Sequence, residues 1–235
     1  MLFTLTAGAQ TVNVHLKSGE VVKYDSSVFD YIDFSTAESE TPVAYTECPD
    51  GNHPHMIDLG LPSGTKWACC NVGASAPEQY GGYYAWGEVH EKDVYGGNTY
   101  AYYNSGTGYV NIGTDIAGTG YDAATANWGV PWRMPSLPQI KELVNNCSST
   151  WTTQNGVKGR KITGPNGGTI FLPAAGRWLS DPDEADKVGT IGYYWSSTLS
   201  GNYSDLAQGL QCGSGPIYWY DSDYRDKGRT VRPVR

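Results

Sequence analysis

The chain is short of charge. Only 17% of its 235 residues are Asp, Glu, Lys or Arg, against about 25% in an average soluble protein. Its 16 basic and 24 acidic residues leave a net charge of −8. With no basic stripe to meet a phosphate backbone, nucleic acid is not an expected partner. Long apolar runs are missing too: none reaches ten residues, too short for a helix that crosses a bilayer. Leu, Lys and Glu are sparse beside glycine, which argues against a helical bundle. What is present instead is 30 Gly and 30 aromatics, 18 of them Tyr and 8 Trp. So many Tyr and Trp exclude a disordered chain, and the glycines lack the three-residue period of collagen. Tyr and Trp bury a ring while keeping a polar edge wet, so their excess over the 4 Phe predicts a loop-rich fold with aromatics near water. The length suits one domain, or one domain with a small appendage.

Met1-Leu2-Phe3-Thr4-Leu5-Thr6, followed by Ala7-Gly8-Ala9, reads as the tail of a signal segment ending in a small-x-small cleavage site, with Gln10 as the first mature residue. The alternative is an ordinary N-terminal strand. On the first reading residues 1–9 are a signal-peptide remnant and the protein is secreted or displayed at the cell surface. The five cysteines, Cys48, Cys69, Cys70, Cys147 and Cys212, are an odd set for an exported chain. Neighbouring Cys69 and Cys70 would point to opposite faces of a strand, making them poor partners for each other. No CxxC and no zinc spacing occur, so mostly buried thiols with one bridge at most are expected.

Val12, Val14 and Leu16 alternate with polar residues, Ser18-Gly19 supplies a turn, and Val22 and Tyr24 resume the alternation, a hairpin pattern. A third apolar run, Val28 to Phe34, completes an extension over residues 10–35. An isolated hairpin is marginal in water, so this one is expected to dock on the main domain or on a partner in a surface or pilus assembly. Residues 36–55 read as a linker, and 56–235 as the main domain. One helix is well signalled: Ser136 with Gln139 forms a capping box, and Ile140, Leu143, Val144 and Cys147 follow at helical spacing. A shorter helix starts at Asp122, whose carboxylate can cap the amides of Ala124 and Thr125. Strands are expected at 82–86, 158–163, 169–172, 192–196, 206–212 and 230–234. The fold class is α+β, with few helices, short strands and much irregular loop.

Catalytic patterns are scarce. His53-Pro54-His55 with Asp58 is the only local group resembling a metal site, and no third ligand stands at a usual spacing. His90, between Glu88 and Glu91, reads as a solvated loop residue. Gly164-Pro165-Asn166-Gly167-Gly168 is followed by neither Lys-Ser/Thr nor a helix signal, so it reads as a hairpin turn rather than a phosphate loop. No GxSxG occurs. The chain is therefore expected to be no enzyme and to need no cofactor or metal.

Residues 213–228 differ in character: three Tyr, one Trp and three Asp with Arg and Lys, and almost no aliphatic anchor. Tyr gives contact area at low entropic cost while Ser and Asp adapt their hydrogen bonds, a binding-loop composition. Asn202, Tyr203, Ser204 and Asp205 form a second patch of the same type. Asp221, Asp223 and Asp226 lack the glycine of an EF-hand loop.

Several stretches together resemble one family. They are 57–68 (IDLGLPSGTKWA), 81–88 (GGYYAWGE), 121–129 (YDAATANWG), 132–135 (WRMP), 171–176 (FLPAAG), 192–198 (GYYWSST) and 231–234 (VRPV). In this order they resemble the Fibrobacter succinogenes major paralogous domain of secreted and surface proteins of Bacteroidetes, over residues 56–235. The resemblance implies a C-type-lectin-like fold of the version shared with formylglycine-generating enzymes. Those enzymes bind copper through paired cysteines near the C-terminus, whereas here only Cys212 lies in the last eighty residues. The Glu-Pro-Asn and Trp-Asn-Asp motifs of calcium-dependent animal lectins are absent as well. Some members resemble the variable proteins of diversity-generating retroelements, in which adenine-directed mutagenesis turns Asn codons into Tyr, Asp or Ser.

The expected function is that of a ligand-binding protein, secreted or at the cell surface, for a protein or carbohydrate ligand. Its site is expected at Tyr218, Tyr220, Asp221, Ser222, Asp223, Tyr224 and Asp226, assisted by Asn202 to Asp205, with Ile217 and Trp219 as scaffold. The alternatives are a metal-dependent oxidase in the manner of the formylglycine generators, or a structural or pilus-tip adhesin subunit.

Overall fold

A computed structural model of the chain describes residues 3–4, 11–15, 21–25, 55–179, 185–201 and 203–235. The expected cleavage site, the Val28 to Phe34 run, Cys48, His53 and Asn202 lie outside the described residues. The chain divides into two compact units, residues 1–44 and 45–235.

In the first unit β1 (Phe3–Thr4), β2 (Thr11–His15) and β3 (Val21–Asp25) form an antiparallel sheet in the order β1-β2-β3. The expected hairpin is β2–β3, with Val12 opposite Tyr24 and Val14 opposite Val22.

In the second unit the described elements are two helices and short antiparallel strands in small sheets, an α+β assembly. β4 (Met56–Asp58) pairs with β5 (Lys66–Ala68), and β6 (Tyr103–Asn104) with β7 (Gly108–Tyr109). Helix α1 (Ala123–Trp128) starts where the sequence places it. Its cap Asp122 is fully buried and accepts from the amides of Ala124 at 2.8 Å, Thr125 at 3.1 Å, Gly118 at 2.8 Å and Met134 at 2.9 Å. A buried carboxylate with this many donors meets the cost of its desolvation locally. Helix α2 (Leu137–Asn146) begins with the Ser136–Gln139 capping box and buries Ile140 and Leu143, and Cys147 closes it at the edge of the core.

Two three-stranded sheets complete the unit: β8 (Ser148–Gln154), β9 (Val157–Thr163) and β10 (Thr169–Pro173), then β11 (Gly192–Leu199), β12 (Leu206–Cys212) and β13 (Tyr218–Tyr224). Gly164–Gly168 is the turn between β9 and β10, closed by the Gly164 amide on the Gly168 carbonyl at 2.9 Å. β8 was not foreseen: its Ser- and Thr-rich sequence has no apolar alternation, and β-branched threonine favours the extended edge position it takes. The segments 82–86 and 230–234 are not continuous strands. They are held by single bridges, Tyr84 to Arg229, Thr230 to Tyr194 and Val234 to both Trp67 and Arg133. Gly87 in the left-handed region turns the first segment away, and Pro233 has no N–H to extend a ladder in the second.

β11 is buried on both faces, and successive side chains point oppositely. Tyr194 enters one core with Leu172, Leu210, Ile140 and Leu143, while Trp195 enters another with Trp86, Met134, Ala207 and Val231. The motif aromatics Trp67, Trp86, Trp132, Tyr194 and Trp195 are thus scaffold. Cys69 is disulfide-bonded, while Cys70, Cys147 and Cys212 retain their thiols. Cys69 and Cys70 do not diverge as on a strand: β5 ends at Ala68, the chain bends, and the two Sγ atoms lie 3.7 Å apart.

Candidate functional site

Residues 213–228 were expected to form a loop, yet their centre is the strand β13, an edge of its sheet. Leu206, Ala207, Gln208 and Gly209 of β12 stand opposite Tyr224, Asp223, Ser222 and Asp221. Between Asp221 and Tyr218 the strand carries one residue more than β12 does between Gly209 and Gln211, a bulge that re-aims the side chains around Trp219 and Tyr220. Tyr and Trp are good strand formers. The usual alternation is concealed because acids, not aliphatics, take the covered positions. Tyr218, Tyr220, Ser222 and Tyr224 are exposed, and Trp219, Asp221 and Asp223 are half-covered. Trp219 and Ile217 pack on the core beside α2, with Lys141 Nζ 4.9 Å from the Trp219 ring centroid.

The covered acids face a fully buried cation. Arg229 Nη1 is 2.7 Å from Asp221 Oδ2, and its Nη2 donates to Asp223 Oδ2 at 2.7 Å. Arg177 Nη1 donates to the same Asp223 oxygen at 2.7 Å. The Arg229 guanidinium also lies over Trp195 at 4.6 Å and Tyr193 at 5.0 Å. It reaches this place across Gly209, where a Cβ would stand 3.0 Å from Arg229 Nη1 and 2.4 Å from the Tyr194 carbonyl oxygen. Burial pushes the Asp223 carboxyl up, but Arg229, then Arg177 and the Tyr224 amide, outweigh it and hold the group below its ordinary value.

Arg225, also buried, joins three segments. Its Nε donates to Tyr100 Oη at 2.9 Å, and Nη1 donates to the carbonyls of Val110 and Ser204 at 3.0 Å. Its backbone amide donates to the Asp205 carbonyl at 3.0 Å. The guanidinium lies 4.9 Å from the Trp86 ring centroid and 5.6 Å from that of Tyr109. Among the described residues no carboxylate forms an ion pair with Arg225, so carbonyls and ring faces carry its charge.

The expected site residues therefore separate. Tyr218, Tyr220, Ser222 and Tyr224 form an outward row along β13, and Tyr203, Ser204 and Asp205 lie at its Tyr224 end, with Tyr203 itself 59% exposed. Asp221 and Asp223 face Arg229 instead. Asp226 is buried, with Oδ2 3.5 Å from Lys227 Nζ and 3.8 Å from where a Cβ of Gly97 would stand.

A neighbouring aromatic region lies outside the residues expected from the sequence. Tyr100, Tyr102, Tyr103 and Tyr109 pack edge-on or tilted at 5.2–5.8 Å. Tyr103 and Tyr109 line a cavity of about 380 Å³ with Val94, Asn98 and Thr99. Burial pushes the Tyr109 hydroxyl up to about 12, helped by Asp226 and Asp205, so it is a neutral donor at physiological pH. The signal was available, because residues 95–111 share the Tyr, Gly and Ser enrichment of the C-terminal segment, with Asn in place of its Asp. No protein-family model, curated protein or solved structure matches the chain.

Proposed function

We propose that the protein is a ligand-binding module, secreted or displayed at the cell surface, with a C-type-lectin-like fold, and that its recognition surface is the outward row of β13 with the Tyr203–Asp205 turn. The observation that carries this reading is the exposure of Tyr218, Tyr220 and Tyr224 (39%, 57% and 50%) on a strand whose covered positions are pinned by buried ion pairs. Monomeric surfaces seldom leave contiguous large aromatics uncovered without a binding role. Tyr is also the side chain that gives most contact for least entropy. Asp221 and Asp223 act as foundation, holding the strand while the outward side chains meet the ligand. In the retroelement reading, the positions free to vary without disturbing Arg229 are 218, 220, 222 and 224. A reverse transcriptase gene beside this one, with a near-copy of its 3′ end differing at adenines, is the genomic observation that supports that part.

The test is a triple variant, Y218A/Y220A/Y224A, compared with the unmodified chain on a printed glycan array and against a displayed peptide library. Loss of the hits at unchanged melting temperature supports the assignment. Retention of every hit overturns it.

A further inference from the structure

A second group of chemically capable side chains lies at the start of the main domain. His55, Cys69 and Cys70 are all buried, and their donor atoms lie within 4.8 Å of one another. His55 Nδ1 is 3.9 Å from Cys69 Sγ, which is 3.7 Å from Cys70 Sγ. For a tetrahedral Zn²⁺ with arms of roughly 2.3 Å to sulfur and 2.05 Å to nitrogen, the sulfur–sulfur edge is about 3.8 Å and the sulfur–nitrogen edge about 3.6 Å. The two edges that meet at Cys69 Sγ already stand within a few tenths of an ångström of those values, and the His55–Cys70 edge is no longer than 4.8 Å.

The frame around them is rigid. The Cys69 amide donates to the His55 carbonyl at 3.0 Å, fixing the two backbones together. The His55 ring is packed by Trp128 at 4.6 Å and Trp132 at 5.1 Å. A buried cation stands behind the cysteines. Arg232 Nη1 donates to the carbonyls of Ala68 at 3.1 Å and Cys69 at 2.8 Å, its Nε to Asn71 at 2.8 Å and its Nη2 to Phe171 at 2.8 Å. None of these partners is a carboxylate, so a thiolate centre beside it would gain a counter-charge. Cys69 also lines a cavity of about 520 Å³ with Ile57, Lys161 and Phe171, a route for small reactants.

We propose that, when the Cys69 bridge is opened by a dithiol reductant, His55, Cys69 and Cys70 hold a thiophilic d¹⁰ cation such as Zn²⁺. The dithiol gives two electrons to the S–S bond and becomes a cyclic disulfide, leaving two thiols on the protein. Metal entry then displaces the proton of each coordinating thiol to solvent. The fourth position is left for water. Oxidation of Cys69 removes a ligand and expels the ion, so the site reports the redox state of its surroundings. The sequence showed only His53, His55 and Asp58; Asp58 pairs with Lys66, and the real companions of His55 are brought by β5.

The probe is Co²⁺ added to the full chain after reduction with dithiothreitol and anaerobic removal of the reductant. The expected result is a thiolate-to-cobalt charge-transfer band with strong tetrahedral d–d bands, saturating near about one equivalent and bleached by Zn²⁺. The oxidised chain shows neither band. C70S and H55Q weaken binding by about tenfold or more, while C147S and C212S leave it unchanged. No band in the reduced chain, equal bands in the oxidised chain, or indifference to C70S overturns the proposal. Because C70S alters a buried position, zinc K-edge absorption on the unmutated reduced chain gives a second reading. Sulfur and nitrogen neighbours at roughly 2.3 and 2.0 Å support the site, and an oxygen-only shell overturns it.

Discussion

Two antiparallel hairpins of the main domain are held by opposite means. In β9–β10 the covered side chains are aliphatic and aromatic: Ile162 faces Ile170 across the ladder, and Phe171 and Leu172 are buried beside them. In β12–β13 the partner strand still supplies Ala207 and Leu210 to the cores, but β13 itself turns Asp221 and Asp223 toward a buried arginine and leaves three tyrosines outside. Apolar burial is non-directional, so β9–β10 is held by its fit to many neighbours. Ion pairs with hydrogen bonds are directional, so the Asp221–Asp223 part of β13 is positioned by a few atoms of Arg229 and Arg177, while Trp219 packs on the core. An edge strand anchored in that way needs only Trp219 of its aromatics for the core, which leaves Tyr218, Tyr220 and Tyr224 at the surface.

The sharpest break in this comparison is Arg229→Met. It strands Asp221 and leaves Asp223 with Arg177 alone, and losing one partner of a buried pair costs about 3–5 kcal/mol. Urea unfolding should show the loss, and a change within about 1 kcal/mol would mean that the ion pairs do not hold β13. Leu172→Ala probes the other hairpin. Its fully buried side chain leaves a cavity worth about 2–5 kcal/mol, and this loss should be independent of pH, unlike anything in β13.

Acid should separate the hairpins further. The Asp223 carboxyl is depressed below its ordinary 3.8. Its contribution is therefore complete above that value and is lost as pH falls through the lower, folded one. Below about pH 4 the melting temperature of the unmodified chain should fall more steeply than that of D223N, which at neutral pH is destabilised by about 1–3 kcal/mol. Parallel curves would show that Asp223 does not titrate against Arg229. The smallest effect belongs to the outward row: Y218A, Y220A and Y224A should each change stability by no more than about 0.5 kcal/mol, and calorimetry that finds a larger loss would make these tyrosines core.

Legibility followed the range of each interaction. The Ser136–Gln139 box, the Asp122 cap, the Gly164–Gly168 turn and the β2–β3 hairpin rest on contacts a few residues apart. Each was readable from residue types and spacing. β12 was read to the residue, because Leu206 to Cys212 includes apolar side chains that both cores require. β13 was read as a loop because its covered side chains are acids. What makes an acid a covered residue is Arg177, 46 positions away, and Arg229 beyond the next turn.

The amino-acid sequence by itself determined the α+β class of the elements, their caps and most of their turns, since these depend on backbone hydrogen bonds and on periodicity within a few residues. It also singled out the Tyr- and Asp-rich segment from composition. Only the tertiary structure decided which of those residues look outward and that His55 meets Cys69 and Cys70. Both depend on where a distant side chain arrives. A buried guanidinium draws carboxylates inward whatever their local pattern, and a bend after β5 overrides the alternation that would have parted the two cysteines.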